Sequence, residues 1–272
     1  MRRKTKIVAT LGPAIDSLVD VRRMIEAGMN VARFNFSHGT PDEHRTRHEW
    51  VRAASEDLGI PVATMQDIQG PKIRVGVFPN GSVVLESGSE VTIVPGEGEG
   101  DASLVCVAYL EYVDLAPGSK VLLSDGMIVL EVLSTDGVAA RARVVGGGIL
   151  RDHKGAAFPG SDTRVPVITD KDVADLAFGR ELGFDLVAAS FISSGADIRE
   201  IRKHIGYTPI IAKIESTVGY RNLGDILTEA EGAMVARGDL GVELNLESVP
   251  RAQTEILAQT NAAGKIVITV PA

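Results

Sequence analysis

Apolar residues along this chain fall into short, unbroken runs that alternate with longer stretches of helical spacing. The runs are Lys6 to Thr10, Asn30 to Phe36, Pro61 to Gln66, Asp185 to Ser190, Pro209 to Ile214, Ala233 to Arg237 and Lys265 to Thr269. Each is too short for a core helix and reads as a buried strand. Between them, apolar positions recur every three or four residues over Leu18 to Ala27, Asp42 to Leu58, Asp172 to Leu182, Ile198 to Ile205, Val218 to Ala230 and Val249 to Ala262. That spacing predicts amphipathic helices. Glycine follows several of them, at Gly28, Gly59, Gly183, Gly206 and Gly264, where a helix end favours a left-handed residue. Strand–helix alternation with fully apolar strands predicts a parallel sheet. The expected fold class is therefore α/β, a (β/α)8 TIM-type barrel truncated after its seventh strand, with a doubly wound open sheet as the competing architecture.

One interval breaks the rhythm. From Val75 to Gly160 helical spacing disappears, and strand-like runs take over at Ser82 to Leu85, Glu90 to Val94, Lys120 to Leu123 and Met127 to Leu133, with turns such as Asn80-Gly81. This predicts an all-β domain inserted after the third barrel strand, dividing the chain into residues 1–74, 75–160 and 161–272. Loops that follow barrel strands lie at the carboxyl end of the barrel, so the insertion is expected to serve as a lid. After Lys265 to Thr269 no sequence remains for an eighth strand. An unclosed barrel exposes two strand edges, so the chain is expected to be a piece of a longer protein or to be covered there.

Composition narrows the function classes. Hydrophobic residues at 44% and charged residues at 24% are ordinary for a soluble globular protein. A net charge of -8 and 4% aromatics argue against nucleic-acid binding and against attachment to anionic membranes. Cys106 is the only cysteine, which fits a reducing compartment. The basic start Met1-Arg2-Arg3-Lys4 meets Asp16 and Asp20 before any long apolar stretch, so neither a leader nor a membrane span is expected and the cytoplasm is the expected location.

Chemistry gathers at the strand ends. Lys213-Ile214-Glu215 and Arg237-Gly238-Asp239 each close an apolar run, where ionised groups belong only if paired or metal-bound. Delivered to neighbouring strand ends, Glu215 and Asp239 would make a site for Mg2+ or Mn2+. Lys213 beside them would stabilise an anionic oxygen or move a proton. A plain Lys–Glu ion pair inside the barrel is the competing reading. The second strand ends Arg33-Phe34-Asn35-Phe36-Ser37-His38, and alternation puts Arg33, Asn35 and Ser37 on one face. The third ends in Asp67 and leads through Lys72 to Arg74. Cations at Arg33, Arg74 and Lys213 with two carboxylates fit a phosphate-bearing substrate bridged by a metal.

The segments Thr5 to Pro13, Asn30 to Gly39, Asp67 to Arg74, Ser190-Phe191, Lys213 to Glu215 and Ala236 to Gly241 together resemble the pyruvate kinases, over Arg3 to about Thr269. The resemblance implies a barrel with a β-domain lid. It also implies transfer of a phosphoryl group from phosphoenolpyruvate to ADP, giving pyruvate and ATP as the last step of glycolysis, in a cytoplasmic homo-oligomer at full length. By the same resemblance Glu215 and Asp239 hold the divalent ion, while Lys213 and Arg33 act on the transferring phosphoryl group. The backbone of Ala236, Arg237 and Gly238 faces the substrate carboxylate, and Asn35, His38, Arg74 and the lid's Lys154 lie on the nucleotide side. Asp125-Gly126 resembles a turn of the lid. Asn35, Ser37, Asp67 and the Ile68 carbonyl match the family's monovalent-cation pocket. Lys72 stands where potassium-dependent members carry glutamate, and Ile68, Gln69 and Val75 match the potassium-independent branch, so K+ is expected not to be required.

Two departures from the family pattern matter. Pro271 occupies the position of a seventh-strand threonine near the reacting carbon, and Thr269 lies one pleat deeper on the same face. The eighth strand and the family's C-terminal domain are not in this sequence. Two other readings therefore stand beside a pyruvate kinase-like phosphotransferase. One is a non-catalytic remnant that still binds phosphate and metal. The other is a magnesium-dependent lyase or aldolase of the phosphoenolpyruvate/pyruvate barrel group.

Overall fold

The computed structural model describes residues 4–161, 163–244 and 246–270. Seven parallel strands, Val8–Thr10, Val31–Asn35, Ala63–Asp67, Leu186–Ala189, Ile210–Ile214, Gly232–Ala236 and Ile266–Val270, pair in strict chain order. A doubly wound sheet reverses its strand order at a switch point. No reversal occurs here among the described residues, so the sheet is the curled wall of a barrel. Its first and seventh strands are edges among those residues, as expected for a barrel that stops short of closure. Pro271, read against the family's threonine, lies outside the described residues.

Helices connect the strands and cover the outer face. Leu18–Ala27 and Val249–Ala262 run as the spacing predicts. Pro41–Leu58 starts on a capping box between Thr40 and Glu43, which satisfies two backbone N–H groups that would otherwise lack partners. The predicted helix Val218 to Ala230 is instead two, Thr217–Arg221 and Leu223–Glu229. Asn222 lies at the break, its side-chain amide donating to the Ser193 carbonyl at 2.8 Å.

The barrel interior is layered. Buried Met65, Ala188, Ile211 and Met234 form its apolar floor, with Val8, Val31, Leu186, Ile268 and Val270 packed against them. Two residues further along the same strands, the period-2 alternation brings in Thr10, Arg33, Asp67, Ser190 and Lys213. Apolar floor and charged mouth thus follow from one register.

Between the third and fourth barrel strands lies the β insertion. A six-stranded sheet orders Ala156–Ala157, Lys120–Leu123, Ile128–Thr135, Ala140–Gly146, Glu90–Pro95 and Leu104–Val107, and a two-stranded one pairs Ser82–Leu85 with Gly148–Arg151. It has its own core around Ile93, Leu123, Ile128, Leu130 and Leu150. Its two connections to the barrel run antiparallel and bond to each other: Val75 N–H donates to the Lys154 carbonyl at 2.9 Å and Ala156 N–H to Ile73 at 3.0 Å.

An aromatic cluster locks helix Pro41–Leu58 onto the second strand. His44 stacks on Phe36 at 4.1 Å, and His48 packs against Phe184 at 4.9 Å. Burial, followed by the nearby Arg52, pushes His48 down to about 4; burial also lowers His44. A histidine depressed below its unfolded value contributes stability that is present above pH 6.5 and lost as pH falls toward its folded pKa. His48 should therefore remove about 2 kcal/mol between pH 7 and pH 5. Urea midpoints at the two pH values, compared with His48→Gln, check this; an equal drop in the variant would sink it.

Candidate active site at the carboxyl ends of the strands

Lys213 stands at the centre of the charged mouth. Its ammonium donates to Ser190 Oγ at 2.7 Å and pairs with Glu215 Oε1 at 2.9 Å and Asp67 Oδ1 at 3.3 Å. Burial alone would lower its pKa, but Glu215 and Asp67 outweigh that and raise it, so the side chain stays an ammonium. Glu215 is 2% exposed. Its second oxygen accepts the Phe191 N–H at 2.7 Å, and Phe191 adopts a left-handed backbone, φ 56°, to present that N–H. Burial raises the Glu215 pKa, and Asp239 adds to this against the pull of Lys213.

Arg33 is not free. Its Nε donates to Asp67 Oδ2 at 2.6 Å and its Nη1 to Thr10 Oγ1 at 2.9 Å. Asp67, 1% exposed, therefore takes its positive partners from Arg33 and Lys213. Asn35 Oδ1 accepts the Ser37 N–H at 3.1 Å, which folds the end of the second strand back on itself. Ser37 thus lies in a turn beyond the strand rather than on its pleat. The Ile68 carbonyl accepts from Ser190 Oγ at 2.7 Å.

Asp239 lies in the short helix Arg237–Glu243, which starts directly from the sixth strand with Ala236 as its N-cap. Arg237 Nε donates to the Val270 carbonyl at 2.9 Å, tying this helix to the seventh strand. Glu215 and Asp239 line one cavity of about 380 Å³ between the barrel mouth and the lid, together with Lys72, Asp125 and Phe158. Among the described residues no group of three or more His, Cys, Asp or Glu side chains is poised to hold an ion. A metal here would rest on two protein carboxylates, the number that Mg2+ commonly uses.

Lys72, expected to substitute for the monovalent cation of the Asn35, Ser37, Asp67 and Ile68 pocket, ends with its ammonium on Asp239 Oδ1 at 2.9 Å. The loop that carries it turns at Gly70, φ +66°, where an added Cβ would stand 2.9 Å from Ser190 Cβ. Only glycine fits both the backbone angle and that approach. Buried Asp172 accepts the Gly70 N–H at 3.0 Å.

A second cavity of about 360 Å³ adjoins the first and is lined by Lys72, Arg74, His153 and Lys171 among others. Arg74 Nη1 donates to the His153 carbonyl at 2.9 Å. His38 is exposed, and its carbonyl meets His44 Nε2 at 3.0 Å. Lys154 is half-buried in the connection to the lid, next to Gly155, which lines the first cavity. Lys171 carries no strand-end signal in the sequence. It enters because helix Asp170–Leu182 starts beside the barrel mouth, where its ammonium donates to the Phe36 carbonyl at 2.7 Å.

These strands, with acids and bases converging where they end beneath an inserted β domain, define an α/β-barrel protein whose candidate site lies at the barrel's carboxyl face. The model of the pyruvate kinase barrel domain matches residues 2–271, and the chain belongs to the pyruvate kinase family. It is 43% identical to the pyruvate kinase of Geobacillus stearothermophilus over 99% of this chain and 47% of that protein. The pyruvate kinases of Corynebacterium glutamicum and Mycobacterium tuberculosis (strain ATCC 25618 / H37Rv) are 41% and 43% identical, each over 99% of this chain and 58% of the relative. The chain thus spans about half the length of the curated relatives it matches. Among the described residues no helix is long and apolar enough to cross a membrane.

Proposed function

We propose that this chain carries the site of a pyruvate kinase-like phosphotransferase, taking phosphoenolpyruvate and ADP to pyruvate and ATP in the cytoplasm. The observation that carries the reading is the convergence of Glu215, Asp239 and Lys72 on one cavity, with Lys213 bonded to Glu215. Two hard-oxygen carboxylates, one of them raised first by its own burial and then by the nearness of the other, suit Mg2+ or Mn2+. Bound there, such an ion would offset the charge of a phosphoryl group. Lys213 would place its ammonium at the oxygen left negative when that group departs, and Arg33 would steady the phosphate. Backbone N–H groups of Ala236, Arg237 and Gly238 would meet the substrate carboxylate. Asn35, His38, Arg74 and Lys154 form the nucleotide side, and Lys171 joins them through the second cavity. Residues 75–160 act as a lid hinged on the paired connections, while residues 1–74 and 161–272 form the barrel. The complete protein is read as a homo-oligomer.

A coupled assay of pyruvate formation with ADP and Mg2+ tests this reading. Turnover that Asp239→Ala abolishes supports it. Binding of Mg2+ and phosphoenolpyruvate without turnover indicates the non-catalytic remnant, and cleavage of a 2-oxo acid without ADP indicates the lyase or aldolase. Potassium is expected to be dispensable, because Lys72 supplies a positive charge of the protein's own to the site. A many-fold rise on adding KCl at constant ionic strength would overturn that.

A further inference from the structure

Lys72 belongs to both cavities. It lines the first with Glu215 and Asp239 and the second with Arg74, His153 and Lys171. Its backbone is held from behind, by the Asp172 carboxylate on the Gly70 N–H and by its own N–H donating to the Gly70 carbonyl at 2.9 Å. Its side chain is 27% exposed and ends on Asp239 at 2.9 Å. An ammonium on a four-carbon stem can move several ångströms by changing rotamers while its Cα stays fixed.

We propose that Lys72 is an exchangeable counter-charge that competes with the divalent cation for Asp239 and, once displaced, turns into the second cavity to help bind an anionic phosphate chain. This inference rests on the metal reading above. A carboxylate oxygen that accepts from an ammonium must give up that bond to ligate a dication, and the dication repels the ammonium at such short range. The second cavity, which the lysine already lines, carries Arg74 and Lys171 beside the carboxylates of Glu97 and Asp170. The two signs largely offset there, so an arriving phosphate chain adds the negative charge that favours a third cation. Divalent ion and phosphate ligand are thereby coupled through one side chain, and the coupling is reciprocal. The ion frees the lysine for the anion, and the anion draws the lysine off the metal's ligand.

Mn2+ titration of the unaltered chain, Lys72→Met and Lys171→Met tests the competition without any measure of turnover. Lys72→Met should bind Mn2+ about fivefold more tightly. Lys171→Met, which removes a cation from the second cavity but none from Asp239, should change the affinity by less than about twofold. Equal tightening in both variants, or none in Lys72→Met, would overturn the exchange and leave Lys72 as background charge. Failure of Mn2+ to bind the unaltered chain would instead overturn the metal reading itself. Reductive methylation of the unaltered protein, followed by mass spectrometry at Lys72, supplies a second readout. Saturating Mg2+ should speed modification of Lys72 about threefold by releasing its amine, and sulfate added afterwards should slow it again. A rate that Mg2+ leaves unchanged overturns the release, and one that sulfate leaves unchanged overturns the move into the second cavity.

Discussion

Lys213→Met is expected to lower the stability of the folded protein by about 3–5 kcal/mol near pH 8. The lysine side chain is 12% exposed and sits between two carboxylates that are almost fully covered. Asp67 would retain Arg33. Glu215 would keep only the Phe191 N–H, with Asp239 nearby as a repelling charge. The sign of the pH dependence follows from Glu215, whose folded pKa is raised, first by burial and then by Asp239. A carboxyl raised in the folded state contributes stability that is present below its unfolded pKa and lost as pH rises through the folded one. Without Lys213 that folded pKa climbs further, so the deficit should be largest at alkaline pH and shrink toward pH 5, where Glu215 can take up a proton. Divalent cations should restore part of the loss near pH 8 by supplying the missing positive charge to the folded state alone. Urea midpoints at both pH values, with and without Mg2+, measure all of this. A variant that unfolds at the same urea concentration as the parent would show that Lys213 is not the counter-ion of this core.

How far the sequence foretells this arrangement depends on whether the signal is local. Helices Leu18–Ala27 and Val249–Ala262 are legible to their ends because apolar spacing and start signals agree: Ser17 accepts the Asp20 N–H in one, and proline stands at the first turn of the other. The split at Asn222 is not legible, since its cause is a bond to Ser193 on a different connection. In the lid, Lys120–Leu123 announces itself by β-branched and leucine content. Ala140–Gly146, which reads Ala-Arg-Ala-Arg-Val-Val-Gly, opens on four residues of weak strand propensity and extends into a full strand by pairing with Glu90–Pro95 and Ile128–Thr135. The same contrast holds at the site. Lys213, Glu215 and Asp239 stand out because charges close apolar runs; a period-2 register carries Lys213 and Glu215 to one end of the barrel, and the helix that starts from the sixth strand adds Asp239. The Lys72–Asp239 contact and the place of Lys171 depend on how a loop crosses the mouth, which no local pattern encodes.

Asp172 is the case where a local reading gives half the answer, and its loss should be the other large effect. The sequence spacing starts a helix at Asp172; the structure starts it at Asp170 and makes Asp172 its third residue, closing a capping box with Thr169. Yet the side chain is fully buried, which a cap on a surface helix would not require. One oxygen accepts from Thr169 N–H and Oγ1 at 3.0 and 2.6 Å, and the other accepts the Gly70 N–H at 3.0 Å. All three partners are donors, so both oxygens must accept, which a carboxylate does and an amide cannot. Asp172→Ala should cost about 3 kcal/mol, because buried donors would be left without partners. Asp172→Asn should cost about half of that, since one accepting oxygen survives. The damage should also travel. Gly70 is wedged against Ser190 and Phe191, and the Phe191 N–H is what holds Glu215 on its protein side. Amide exchange should therefore quicken at Gly70 and at Phe191 in both variants, while the barrel floor around Met65 and Ile211 keeps its protection. If exchange quickened at Gly70 alone, Asp172 would be a loop anchor with no hold on the carboxylate. If Phe191 responded as well, the start of an outer helix would be part of what keeps Glu215 aimed into the cavity.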